Sequence, residues 1–98
     1  MTAIYDRGVA RVNFTKNMQR HVDCPPEDVR GATLREVLDD YFRLHPAVRS
    51  YVLDEQGAVR RHVAVFVDGD HVTDPTSLSD PLGADTEVHV MQALSGGA

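Results

Sequence analysis

The strongest constraint on the fold of this chain lies in residues 33–44. Thr33-Leu34-Arg35-Glu36 has capping-box spacing: Thr33 can accept from the Glu36 amide while Glu36 reaches back to the Thr33 amide. Leu34, Val37, Leu38, Tyr41 and then Leu44 follow at helical spacing as one apolar stripe. Arg35, Asp39, Asp40 and Arg43 fall off that stripe, and Asp39 stands four residues before Arg43, suited to an ion pair. Pro46 disfavours helical geometry at His45 and ends the segment. The spacing predicts one helix of about three turns. The apolar residues on both sides alternate with a period of two. One helix with one apolar stripe covers one face of one sheet, so the expected class is α+β, with about five strands packed on a single main helix.

The strands are read from that alternation. Residues 8–14 place Ala10, Val12 and Phe14 on one face. A turn at Thr15-Lys16-Asn17 and a second strand over 18–23 complete an expected hairpin, and 24–31, with two prolines and a glycine, reads as loop. Residues 51–53 and 58–60 flank Asp54-Glu55-Gln56-Gly57 as a further hairpin. The most apolar strand is 61–67, whose near-continuous character suggests a central place with both faces partly covered. Asp68-Gly69 signals a tight turn into 70–72. Residues 75–83 read as loop or one helical turn that anchors Leu82 inward. The last strand, 86–92, sets Val88 and Val90 against Glu87, His89 and Met91. A single domain over 1–92 is followed by a flexible tail of small residues, 93–98.

Several function classes fall away. The longest apolar run, residues 63–67, is too short to cross a bilayer, and the opening residues lack the grammar of a secretion signal, so a cytoplasmic protein without membrane partners is expected. Cys24 is the single cysteine, which rules out an internal disulfide or thiolate cluster, and nothing local would lower its pKa. Residues 62–98 hold six acids and no Lys or Arg, which would repel phosphate backbones and argues against nucleic acid. Those acids suit either a partner with a basic surface or simple solvation of turns. The histidines at 21, 45, 62, 71 and 89 show no metal-ligand spacing, the serines no nucleophile elbow, and no phosphate-cradling glycine loop exists. A non-enzymatic protein with no bound metal or cofactor is the expectation.

The C-terminal third carries a resemblance. Val65-Phe66-Val67-Asp68-Gly69-Asp70-His71-Val72, then Leu82-Gly83-Ala84-Asp85-Thr86-Glu87-Val88-His89-Val90, then Gly96-Gly97, resembles the ThiS/MoaD sulfur-carrier family. The family's pattern is a V-x-V-N-G strand and turn, an L-x-x-G-D-x-V step and a terminal diglycine. Here Asp68 stands where that turn often has asparagine. The likeness covers roughly residues 33–97. It implies a ubiquitin-like β-grasp, a mixed sheet in which the first and last strands lie parallel at the centre.

It also implies a function. An E1-like partner would use ATP to adenylate the carboxylate of Gly97, and sulfur would displace AMP to leave a thiocarboxylate. Leu94, Ser95 and Gly96 would be presented to the activating enzyme as spacer and clearance. Ala98 departs from the pattern, and its removal by a C-terminal peptidase is the expected explanation; direct activation of Ala98 and loss of activation are the others. The second partner would be a sulfur-accepting biosynthetic enzyme for molybdopterin, thiamine, cysteine or another metabolite, with a small subunit of a molybdopterin-synthase-like complex as one form. Two other readings stay open: a ubiquitin-like adaptor that never conjugates, and a modifier that forms isopeptide bonds. Independently of the resemblance, strand alternation puts Phe66, His89 and Met91 on the face away from the helix, a candidate docking patch unless the 51–60 segment or a second copy covers Phe66.

Overall fold

The computed structural model describes residues 9–83 and 85–92. Five strands form one mixed sheet: β1 (Val9–Phe14), β2 (Glu27–Arg30), β3 (Val63–Val67), β4 (Asp70–His71) and β5 (Thr86–Gln92). The spatial order is β2-β1-β5-β3-β4, so the last strand lies in the middle. It runs parallel to β1, with Val12 opposite Val88 and Phe14 opposite Val90, and antiparallel to β3, with Val65 opposite Val90.

Helix α1 (Lys16–Gln19) follows β1, and α2 (Leu34–Leu44) crosses one face of the sheet. Leu34, Val37, Leu38 and Tyr41 of α2 are fully enclosed, against Val12 of β1, Val65 of β3 and Val88 and Val90 of β5. Each such aliphatic side chain contributes about 1.5–3 kcal/mol by leaving water. Phe42 joins this core, whereas Leu44 is 49% exposed and lies off the stripe predicted to include it.

The amides of Leu34, Arg35 and Glu36, which open α2 and have no partner within the helix, find acceptors outside its ladder. Leu34 donates to the carbonyl of Asp80 (2.9 Å) and Arg35 to that of Leu78 (2.8 Å), while Glu36 reaches Thr33 Oγ1 (3.3 Å) and Val37 the Thr33 carbonyl (3.0 Å). The Glu36 carboxylate accepts from Ala32 rather than from Thr33, a one-residue correction to the predicted box. The acceptor loop is held by its own acids. Asp80 takes the amides of Thr73 and Asp74, and Asp74 takes those of Ser77 and Ser79 and the Ser79 hydroxyl. Those bonds hold the Asp74 carboxyl below its ordinary pKa, with the Ser79 hydroxyl the largest cause. The residue this loop drives inward is Leu78, fully buried at φ 59°; Leu82, expected in that role, is only partly buried.

Three further readings are corrected. Residues 18–23 are not a strand: Lys16–Gln19 is helical, and Met18 and Val22 both face the core. A spacing of four satisfies a period of two and a period of 3.6 equally, so the pattern itself could not decide. The second strand is β2, inside the segment read as loop, with Val29 as its one enclosed residue. Residues 46–52 form α3 (Pro46–Val52), with Val48 and Val52 buried, so this protein has three helices among the described residues where one was expected. Pro46 ends α2 by keeping His45 out of helical geometry, and it opens α3 because an N–H at the first helical position would have no acceptor within the helix, so its lack costs nothing there. What remains of the expected hairpin is one bridge, Leu53 with Val59. Arg43 pairs with Asp40, three residues away, instead of Asp39. The Asp40 carboxyl lies below its usual pKa, chiefly because it also accepts the Arg30 amide.

Candidate functional site

The strand that leads toward the diglycine is the best-secured one in the sheet. β5 is hydrogen-bonded along both edges, and on the β3 side its pairing continues to Gln92, opposite Val63. Two bonds from the start of α1 reach the same end: Thr15 N donates to the Val90 carbonyl (3.3 Å), and Asn17 Nδ2 to Gln92 Oε1 (2.6 Å). Leu94, Ser95, Gly96, Gly97 and Ala98 lie outside the described residues, as do Ala84 and residues 1–8. Gln92 is therefore held by Val63 on the β3 edge and by the Asn17 side chain.

The other end of β5 is set by the Asp68-Gly69 turn. Both residues have positive φ (50° and 89°), the requirement of a two-residue hairpin whose twist matches the strands it joins. Asp68 then reaches across the sheet: its N–H donates to the Glu87 carbonyl (2.8 Å) and its carboxylate accepts the Glu87 amide (2.9 Å). Asp85, also at positive φ (59°), turns the chain into β5, and Thr86 Oγ1 donates to the Gly83 carbonyl (2.7 Å). The motif residues at 68, 69, 83, 85 and 86 are thus the parts that place β5 in register. An asparagine at 68 keeps both the acceptor and the tolerance of positive φ, so Asp68→Asn is expected to leave stability within about 0.5 kcal/mol. Asp68→Ala removes the acceptor and strains the turn, for an expected loss of about 1–3 kcal/mol in urea unfolding.

The three patch residues converge. Phe66 is directly opposite His89, and Ala64 opposite Met91, on the side of the sheet away from α2. His89 is exposed; Phe66, Ala64 and Met91 are half-buried. His71 of β4, which the sequence reading left out, stands on the other flank with its ring edge-on to Phe66 at 5.1 Å. The 51–60 segment lies on the α2 side instead: Val52 and Leu53 belong to the core and Gly57 accepts from Arg35 of α2. Phe66→Asp is expected to keep the melting temperature within about 3 °C while weakening partner binding at least tenfold. A cooperative loss of fold in circular dichroism instead would make Phe66 a core residue.

The remaining titratable groups read as structural. Cys24 is buried, and burial, aided by Asp23, raises its thiol pKa away from reactivity. The Tyr41 phenol is pushed well up by burial and donates to the Pro25 carbonyl (2.7 Å). His45 joins α2 and α3 and bonds Glu27 across 2.7 Å. Among the described residues no group of three His, Cys, Asp or Glu side chains could hold a metal ion, and no helix is long and apolar enough to cross a membrane.

A sheet of order β2-β1-β5-β3-β4 with parallel central strands and one main helix across a single face is a ubiquitin-like β-grasp. The sequence model of the ThiS family matches residues 19–97, and the chain belongs to that family. Solved structures agree on the fold. SAMP1 from Haloferax volcanii superposes with a TM-score of 0.76 at 22% identity, covering 92% of this chain and 100% of that one. CysO of Amycolatopsis orientalis, solved in a complex with BexX, matches at 0.74 and 20% identity, covering 90% and 99%. CysO of Mycobacterium tuberculosis matches at 0.73 and 18%, covering 87% and 99%. No curated protein matches the chain in sequence.

Proposed function

We propose that this protein is a sulfur carrier that acts as a protein cosubstrate, with Gly97 as the carrier residue. The observation that supports this most is the central strand β5, paired with β1 up to Val90 and with β3 up to Gln92, and followed within five residues by Gly97. Membership of the ThiS family supports the same reading. A free carboxylate is a poor acyl donor, so the chemistry needs activation. A Gly97 carboxylate oxygen attacks the α-phosphorus of ATP on an E1-like enzyme, releasing pyrophosphate and forming an acyl-adenylate. Hydrosulfide then attacks the acyl carbon through its sulfur, AMP departs with the bonding electrons of the acyl–oxygen bond, and a thiocarboxylate remains once the S–H proton is lost. Gly96 and Gly97 suit passage into a narrow channel because they carry no Cβ. Leu94 and Ser95 are the spacer, and Ala98 must be removed first by a peptidase.

The acceptor is a biosynthetic enzyme working in the cytoplasm, and genes beside this one for an adenylating enzyme, a metallopeptidase or a molybdopterin synthase subunit would assign the pathway. The likeness to CysO, whose structure was solved with a second protein, is consistent with such handover. The likeness to small archaeal modifier proteins favours isopeptide formation through the same activated carboxylate as a second reading.

Intact-mass spectrometry separates these readings. The chain ending at Gly97, mixed with ATP, a sulfur source and the activating enzyme of the same genome, is expected to gain about 16 Da as oxygen is replaced by sulfur. Conjugates on lysines of other proteins point to the modifier reading. No gain and no pyrophosphate release point to an adaptor. Protein from its native cell is expected to lack Ala98, and a full-length native mass would overturn trimming.

A further inference from the structure

The six acids of residues 62–98 do not surround the end of β5 that leads to Gly97. Asp68, Asp70, Asp85 and Glu87 stand toward the opposite end, where β5 begins, and Asp74 and Asp80 are used in the loop that caps α2. Around the Gln92 end the charges have the other sign. Lys16 is the neighbour of Asn17, whose side chain holds Gln92. Arg20 caps the same short helix. Arg61 and His62 come immediately before Val63, the residue opposite Gln92.

The cations also differ in what they do. Arg11 pairs with Asp28, Arg43 pairs with Asp40, and Arg35 and Arg60 donate to backbone carbonyls at Gly57, Ser77 and Ser50. Lys16, Arg20 and Arg61 are exposed and, like Arg49 in α3, form no ion pair or side-chain hydrogen bond among the described residues; unlike Arg49, they flank the Gln92 end. The acids on the flanks of this end already have partners or neighbours of their own: Glu27 is taken by His45, and Asp54, which with Glu55 lies beside Arg60, accepts the Gln56 and Ala58 amides. Beside the collar, on the open face, lies Met91, directly opposite Ala64, with Phe66 beyond it.

We infer that Lys16, Arg20 and Arg61 form a cationic collar that docks a protein surface rich in carboxylates around an apolar recess, the recess taking Met91 and Phe66. This rests on the sulfur-carrier reading, since the partner is the activating enzyme at the mouth of the channel that admits residues 93–97. Opposite charge at such a mouth orients the approaching carrier and raises the rate of productive encounter. The acidic far end is repelled by the same surface, so the chain arrives with Gln92 foremost.

The test is ATP–pyrophosphate exchange by the activating enzyme of the same genome, with the chain ending at Gly97 as substrate. K16E/R20E/R61E is expected to raise KM about tenfold at low salt with kcat unchanged, and added salt is expected to bring the two proteins together as screening shortens the range of the charges. R30E, a charge reversal at the far end of β2, is the control and is expected to move KM less than twofold. Circular dichroism confirms folding, and R61E alone serves if the triple variant does not fold. Exchange with an unmoved KM, or an equal rise in R30E, would overturn the collar and leave the sulfur-carrier reading standing. No exchange with the unaltered chain would overturn both.

Discussion

Tyr41→Ala is expected to lower stability by about 3–5 kcal/mol, enough to unfold much of a marginally stable domain at 37 °C. The size follows from what the ring touches. Tyr41 is fully enclosed, with Phe14 at 5.0 Å, Phe42 edge-on at 6.0 Å and His45 at 4.9 Å between ring centroids. It thus joins the end of β1 to the junction of α2 and α3. Its hydroxyl reaches the Pro25 carbonyl, tying in the segment that leads to β2. Tyr41→Phe keeps the ring and removes only that bond, for an expected cost of about 1–2 kcal/mol. Urea denaturation of the two variants side by side separates packing from hydrogen bonding. Similar losses in both would mean that the bond to Pro25, rather than the ring, carries the site.

Gly96→Val is expected to cut activation at least a hundredfold without changing the melting temperature. The fold is spared because position 96 lies beyond the last strand, which ends at Gln92. On the proposed function, activity is lost because valine adds a branched Cβ to the segment that would pass into the activating enzyme, and it narrows the backbone shapes available there. A hundredfold corresponds to about 2.7 kcal/mol of barrier. Gly96→Ala is expected to fall between valine and the native residue. Pyrophosphate release by the activating enzyme reads the rate, and differential scanning calorimetry reads the fold. Unimpaired release by the valine variant would mean that the passage is wide and that the diglycine serves another purpose.

What could be read in advance divides along physical lines. Helix α2 was legible because its cap and its stripe are local: Thr33 and Glu36 lie within one turn, and its buried residues recur every three or four positions. β1 and β5 were legible because strict alternation over six or seven residues has one explanation. Their parallel pairing came from the family resemblance, since no local pattern encodes which strands become neighbours. The failures have equally definite causes. Met18 and Val22, spaced by four, fit a strand and a helix alike. β2 has a single inward residue, Val29, and so shows no period at all. In α3 the signal was present: Pro46 two and six residues before the buried Val48 and Val52 describes a helix that begins at a proline. Reading that proline only as an ending concealed it. The candidate patch followed from alternation alone, but its flank at His71 and the bond from Asp68 to Glu87 depend on tertiary register.

The central position of β5 also has a consequence for how the molecule comes to exist. Its partners are β1, whose Val12 pairs with Val88 across 76 positions of chain, and β3, closer in sequence. Until residues 86–92 are available, β1 and β3 have no direct contact in the sheet, and the two flanks are separate fragments with an open gap between them. Closing so long a loop is entropically costly and comes late, which places the folding of this domain toward the slow end for its size. The event that completes the sheet is the same one that secures Gln92. Under the proposed function, an activating enzyme that recognises the assembled sheet would therefore receive only folded molecules, and the order of assembly would act as its own quality control.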